Sequence, residues 1–238
     1  MISDRLISQN IGQMRRYLQF VTLIWFATLP LAAQQTHPDL NGVWQGPYTP
    51  DLSRTLAQGE MIPLTPFGAE RFKKVDPANN PDGFCLPVGP ARGFQSPAPF
   101  QLVQNDNVIA ILFENQRIYR IVYLDGTKHP EDIAEYPEWM GHSIGHWDGQ
   151  KLVVDTVGIN ERTWLDTAGH EHSDKLHLVE TFEKTGADNI RYTVTFEDPV
   201  FFTKPWTSNR VFKRQSTRIM SYSCEENEKD RIHLLPKK

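Results

Sequence analysis

Short runs of β-branched and aromatic residues, separated by turn residues, dominate the chain from Phe100 onward. Ser143–Trp147 and Lys151–Val157 flank Asp148-Gly149, a dipeptide typical of tight hairpin turns. Such patterns predict about nine or ten strands, at residues 42–46, 100–104, 108–114, 117–124, 142–147, 151–157, 176–184, 190–197, 209–215 and 219–224. Because closure removes exposed sheet edges, we predict an all-β fold, an antiparallel up-and-down β-barrel.

The segment before these strands carries one helix signal. Thr65 is a good N-cap residue and Pro66 suits the first helical position, so we expect one short helix to about Val75, burying Phe67 and Phe72. Residues 76–99 are rich in proline and glycine, and we predict a long ordered loop without regular elements there.

The first 33 residues have the pattern of a secretory signal peptide. Arg15 and Arg16 precede an apolar run that ends in small residues and is shorter than the roughly 20 residues of a membrane span. We therefore interpret residues 1–33 as a signal peptide, with an uncleaved anchor as the alternative. Residues 34–238 are then a single β-barrel domain, periplasmic or secreted.

The net charge argues against certain binding partners, and the cysteine content predicts a disulfide. The first 33 residues contain three arginines and one aspartate, so their removal changes the net charge from −4 to −6. That balance argues against nucleic acid and anionic membranes as partners. The chain has two cysteines, Cys85 and Cys224. In an oxidising compartment an isolated pair of this kind predicts a disulfide.

Two family resemblances follow from short motifs. Gly42-Val43-Trp44 opens the strand run and resembles the lipocalin signature, in which the tryptophan closes one barrel end; this implies a lipocalin-like barrel. A wider pattern looks like a family of secreted bacterial proteins with no established activity, through a Gly-x-Ser-x-Gly-x-Trp-x-Gly motif at 141–149, Trp164-Leu165-Asp166 and His172-Ser173. That resemblance implies export and the pairing of Cys85 with Cys224, but no reaction.

Glu180 is the unusual residue of its predicted strand, because it shares a face with apolar residues. Apolar surroundings raise a carboxyl pKa, and His129 or His142 would be the complementary proton carrier in a lyase, isomerase or hydratase. The alternative is that Glu180 pairs with an arginine inside the barrel, for instance Arg120 or Arg191, as a buried structural charge.

The spacing of the histidines and the sequence around Ser143 give less support to a metal site or a catalytic serine. His170, His172 and His177, with His142 or His146, could supply imidazole ligands to a metal, and Glu180 or Asp155 could supply a carboxylate. They are weak candidates, since no diagnostic metal motif is present and loop histidines are commonly solvated. We predict no metal and no other cofactor. Ser143 lies in a Gly-x-Ser-x-Gly sequence, but a nucleophile elbow requires a strand–turn–helix context, and here the serine lies in a predicted hairpin.

Four aromatic residues suggest which kind of ligand the protein binds. Trp139, Trp164, Trp206 and Tyr119 either pack the core or surround a barrel mouth that suits a flat apolar molecule. Our leading prediction is an exported protein that binds a small apolar or aromatic molecule in its barrel, with Glu180, His129 and His142 as polar groups. The alternatives are an acid–base enzyme using the same pocket and an envelope interaction protein without a ligand. No membrane partner is expected after signal removal, and the oligomeric state is left open.

Overall fold

Nine strands close into a barrel in the computed structural model, which describes residues 37–115 and 118–224. The strands are β1 Gly42–Gln45, β2 Phe100–Gln104, β3 Val108–Phe113, β4 Tyr119–Tyr123, β5 His142–Asp148, β6 Lys151–Val157, β7 His177–Gly186, β8 Asn189–Glu197 and β9 Trp206–Gln215. Each strand pairs with the next, and β1 also pairs with β9, which closes the barrel. The predicted all-β barrel is therefore confirmed. The interpreted signal segment, residues 1–33, lies outside the described residues.

One pair of neighbouring strands in the barrel, β4 and β5, is parallel; we call this pairing the β4–β5 seam. Val122 of β4 lies opposite Ser143 of β5, and Tyr123 lies opposite Ile144, with both strands running the same way. Residues 124–141 return the chain to the starting end of β4, and parallel neighbours require a crossover of about a dozen residues or more. The expectation of a wholly antiparallel barrel is therefore wrong at this seam.

The C-terminal part of the described chain forms no tenth strand. The predicted strand over residues 219–224 is wrong: residues 219–223 have no regular structure. Met220 N–H instead donates to Glu114 Oε2 at 2.6 Å. A disulfide joins Cys224 to Cys85, with their Cα atoms 5.7 Å apart, which confirms the predicted pairing.

The predicted helix is present as α1, Pro66–Lys73. Thr65 Oγ1 accepts the Gly68 N–H at 3.0 Å, which confirms the N-cap. Phe72 stacks on the His170 ring at 4.1 Å between centroids. The expected burial of Phe67 is wrong, because this residue is 53 % exposed. No helix in residues 37–115 and 118–224 is long and apolar enough to cross a membrane.

The proline-rich segment plugs the barrel. It contains 3₁₀ turns and a second short helix, α2, Pro90–Gly93, so the prediction of no regular element is wrong here. Residues 88–95 are all buried. A Cβ atom on Gly93 would lie 2.9 Å from the Phe113 ring, so only glycine allows this close approach. The Phe94 ring lies 4.9–5.7 Å from five others: Phe100, Phe113, Phe182, Tyr192 and Phe212.

Candidate functional site

Glu180 is held by an ion pair inside the barrel. Arg120 and Glu180 both have fully buried side chains. Arg120 Nη1 donates to Glu180 Oε1 at 3.0 Å, and Arg120 Nη2 donates to Oε2. The Tyr192 hydroxyl donates to Oε1 at 2.7 Å, while Ser143 and Thr156 accept from Arg120 at 2.8 and 2.6 Å. A buried carboxylate bonded in this way is a structural charge, the second of the two alternatives for Glu180.

Strand alternation separates Glu180 from the histidines. Glu180 lies opposite Val154, whose side chain is also buried in the barrel. The next residue, Asp155, therefore faces outward, and it is Asp155 that bonds His129. The structure does not bring Glu180 and a histidine into one pocket, so the predicted Glu/His pair is not formed. Burial and the Glu180 charge raise the pKa of Tyr192 well above its usual value, which keeps the hydroxyl a donor.

A histidine–carboxylate chain runs along the outer wall instead. We use this name for His142, His129, Asp155, His177 and Glu197. His142 Nδ1 lies 2.8 Å from His129 Nδ1, and His129 Nε2 lies 3.0 Å from Asp155 Oδ1. His177 Nε2 lies 2.9 Å from Asp155 Oδ2, and its Nδ1 lies 3.2 Å from Glu197 Oε2. The chain thus joins β5, β6, β7, β8 and the crossover that carries His129.

The hydrogen bonds assign protons along the chain. His177 faces a carboxylate at each nitrogen, an arrangement that favours the protonated ring, in which both nitrogens donate. The bond to Asp155, and then Glu197, raises the pKa of His177. The same bond from His177 lowers the pKa of Asp155. Burial, and then repulsion from the His129 ring when that ring is protonated, lowers the pKa of His142. His177 and His142 therefore favour opposite protonation states.

The three weak metal candidates lie in three different hydrogen-bond networks. His170 Nδ1 donates to Asp166 Oδ2 at 2.7 Å. His172 donates from Nδ1 to the Ser173 carbonyl at 2.9 Å, and its Nε2 accepts from Thr163 at 2.7 Å. Burial lowers the pKa of His172, which keeps this ring neutral. His177 belongs to the outer-wall chain. The structure does not bring the three imidazoles together as one ligand set.

Asp166 organises the loop between β6 and β7. Its Oδ1 accepts the N–H groups of Gly169 and His170, each at 3.1 Å. Its Oδ2 accepts the Leu52 N–H at 2.8 Å in addition to the His170 ring. Asp51 contributes a carboxylate oxygen within 4.8 Å of the Asp166 and His170 ligand atoms. Because both Asp166 oxygens accept hydrogen bonds from backbone N–H groups, Asp166 fixes the conformation of this loop.

A groove lies outside the barrel, between α1 and the loops that follow β6 and β8. We call it the α1 groove; its volume is about 620 Å³. Its apolar lining includes Trp164, Val200, Phe201 and the exposed Phe67. Phe67 meets the Phe201 ring edge-on, with centroids 5.3 Å apart. Its polar lining includes Arg71, Glu161, Arg162, Glu171 and Asp174.

Hydrogen bonds hold the groove walls in place. Asp198 Oδ2 accepts the Ser173 N–H at 2.7 Å, and Asp198 Oδ1 accepts the Ser173 hydroxyl at 2.9 Å. Asp198 Oδ1 also accepts the Val200 N–H at 2.9 Å. Arg71 of α1 forms a two-point ion pair with Glu171, at 2.7 and 2.9 Å. All three segments of the groove are thereby tied to one another or to the barrel.

The four predicted aromatic ligand residues occupy different places. Trp164 lines the α1 groove, and Trp139 lies beside it, under the Arg162 guanidinium at 5.1 Å. Trp206 stacks on the Phe196 ring at 4.2 Å and borders a separate cleft of about 510 Å³. Tyr119 is 66 % exposed on the outer wall, since its neighbour Arg120 takes the inward position.

Several residues of these sites are not identified by sequence reasoning. Phe67 and Arg71 follow a clear N-cap, but nothing local shows that their side chains face a groove. Asp198 precedes a proline just after a strand, a position where a side-chain turn is common, and this is a usable signal. Asp155 is a candidate carboxylate in the sequence, but its contacts with His129 and His177 depend on three segments meeting, and no spacing within the chain reveals them. No protein-family model matches the chain, and no curated protein matches it either.

Proposed function

We propose that the protein is an exported binding protein for a small apolar or aromatic molecule, and that the α1 groove holds the ligand. The observation that carries the proposal is the exposed Phe67 ring, which contacts Phe201 in a groove of about 620 Å³ that Trp164 also lines. Pockets for small molecules typically measure about 300–1,000 Å³ and combine apolar walls with a few polar groups.

The large side chains that point into the barrel are the reason for placing the ligand outside it. Phe94 contacts five rings in the interior, and the Arg120–Glu180 pair occupies the inner surface near Tyr192. Closed barrels in general are compatible with ligand binding. A ligand between these side chains would have to displace a packed aromatic plug or separate a buried ion pair.

The walls of the groove favour binding without rearrangement. Asp198 and the Arg71–Glu171 pair fix the loops and α1 before a ligand arrives. Binding to a preorganised site avoids much of the entropy cost of ordering loops. Arg162, held over Trp139, places a cationic group at the rim. We therefore expect a ligand with a flat apolar body and a polar or anionic edge.

Export is the second part of the proposal. Support comes from the Cys85–Cys224 disulfide, because such bonds persist mainly in oxidising compartments. The resemblance to secreted bacterial proteins points the same way.

Titration with the fluorescent dye 1-anilinonaphthalene-8-sulfonate tests the site, since the dye combines an aromatic body with an anionic edge. Phe67 is about half exposed, so covering the rest of its ring contributes roughly 1 kcal/mol, and Phe67→Ser should weaken dye binding about fivefold. Tyr119→Ser is the matched control, because it removes an exposed aromatic ring outside the groove. Equal affinities of both variants and the unmodified protein would refute the groove as the binding site.

Native mass spectrometry on protein purified from the exported fraction tests the function directly. We expect a retained organic mass that the Phe67→Ser variant carries at lower occupancy. A retained mass that is unaffected by Phe67→Ser but lost when Phe94 is replaced would assign the ligand to the barrel interior and contradict the groove.

A further inference from the structure

The imidazoles of His129 and His142 face each other outside the barrel. Their Nδ1 atoms are 2.8 Å apart and their ring planes cross at 74°. His142 projects from the first residue of β5, while His129 comes from the crossover between β4 and β5. At this distance only one proton fits between the two nitrogens, so one Nδ1 lone pair is directed at the other ring. Neutral imidazole nitrogens are preferred ligands of zinc and copper.

Asp155 determines which nitrogen of His129 holds the proton. A carboxylate only accepts hydrogen bonds, so the 3.0 Å contact requires a proton on His129 Nε2. Neutral His129 therefore presents the lone pair of Nδ1 towards His142. A histidine that binds a metal commonly donates its other ring N–H to a carboxylate, which orients the ring and increases its basicity. His177 in turn holds Asp155 at 2.9 Å, so the orienting group is itself fixed.

Charge and spacing are also compatible with a metal ion. The Asp155 carboxylate lies 3.0 Å from His129 Nε2, so an anionic group stands beside the pair. Zinc–nitrogen bonds near 2.1 Å at a tetrahedral angle place two ligand nitrogens roughly 3.4 Å apart. Metal binding would therefore move the two nitrogens apart by about half an ångström and turn both partly exposed rings so that their Nδ1 lone pairs converge on the ion.

We propose that His129 and His142 bind one divalent transition-metal ion of the zinc and copper class through their Nδ1 atoms. Asp155 acts as a positioning residue through His129. Coordination requires the His142 proton to move from Nδ1 to Nε2, so both rings stay neutral. Water fills the other coordination positions. This site is separate from the α1 groove and does not depend on the proposed ligand.

Isothermal titration of the full chain with zinc chloride tests the site. We expect binding at one ion per chain that is lost in His129→Ala and in His142→Ala. Asp155→Asn should weaken binding about 10- to 100-fold, as loss of a group that orients a metal ligand typically does. His146→Ala is the matched control: His146 is an exposed histidine on the same face of β5 and lies outside the histidine–carboxylate chain. Circular dichroism of each variant verifies that it is folded.

Three results would overturn the proposal: no binding to the unmodified protein, binding that survives both histidine substitutions, or an Asp155→Asn variant that binds as tightly as His146→Ala. Imidazole ¹⁵N chemical shifts give a test that needs no substitution. Zinc should convert His142 from the Nδ1–H to the Nε2–H tautomer. Unchanged His142 nitrogen shifts at saturating zinc would place the ion elsewhere.

Discussion

Replacing Arg120 by methionine removes one partner of the buried ion pair and leaves the Glu180 carboxylate without its counter-charge. Both side chains are fully buried, and the pair is joined at two points. Breaking such a pair from one side costs about 3–5 kcal/mol, because the remaining charge stays desolvated. For a domain of this size that loss corresponds to a melting-temperature decrease of roughly 6–20 °C.

Urea unfolding at pH 7, followed by tryptophan fluorescence with the disulfide intact, measures this loss. The double variant Arg120→Met, Glu180→Gln removes both charges and keeps an acceptor for the Tyr192 hydroxyl, so we expect it to recover at least half of the lost stability. Arg191→Met is the control, because its pair with Glu183 is largely exposed and worth at most about 1 kcal/mol.

Two outcomes would refute the interpretation of Glu180 as a structural charge. One is an Arg120→Met variant within about 1 kcal/mol of the unmodified protein, which would mean that the carboxylate needs no counter-charge. The other is a double variant as unstable as the sum of the two single ones, because coupled partners must deviate from additivity.

Three further predictions concern the plug, the disulfide and the outer wall. Phe94→Ala should lower the free energy of unfolding by about 3–5 kcal/mol in urea unfolding, because the Phe94 ring contacts five other rings. A loss below about 1 kcal/mol would contradict the conclusion that Phe94 packs the barrel interior. Replacing Cys85 and Cys224 by serine opens a loop of sequence separation 139 and should cost up to about 5 kcal/mol, visible as a lower melting temperature that reductant no longer changes. The bond to Asp155 raises the pKa of His177 in the folded protein. The protonated His177 therefore stabilises the fold fully at pH values below its unfolded pKa of about 6.5, and this contribution is lost as the pH rises through the pKa of His177 in the folded state. The difference in urea midpoint between His177→Gln and the unmodified protein should therefore be larger at pH 6 than at pH 9, and equal differences would contradict this assignment.

Local sequence patterns do not predict two features of the fold. These are the parallel pairing of β4 with β5 and the burial of the proline-rich segment around Phe94. Residues 117–124 and 142–147 are clear strands in the sequence, but their relative direction depends on where the crossover leads the chain. Pro90–Gly93 is too short to give a helical period, and its burial follows from the space that the barrel leaves around Phe94. Side-chain alternation identifies Glu180 as inward-facing, yet two arginines are available as partners, and only closure of the barrel selects Arg120.

The sequence by itself determines nine of the ten predicted strands, the α1 N-cap, the disulfide and the barrel class, because these depend on alternation, capping and the presence of only two cysteines. The tertiary structure alone decides that His129 meets His142 across the crossover, and that Phe67, Trp164 and Phe201 form one groove from three distant segments. The physical reason is that backbone and burial preferences act over a few neighbouring residues. Contacts between distant side chains depend instead on register and loop paths, which only the packed barrel establishes.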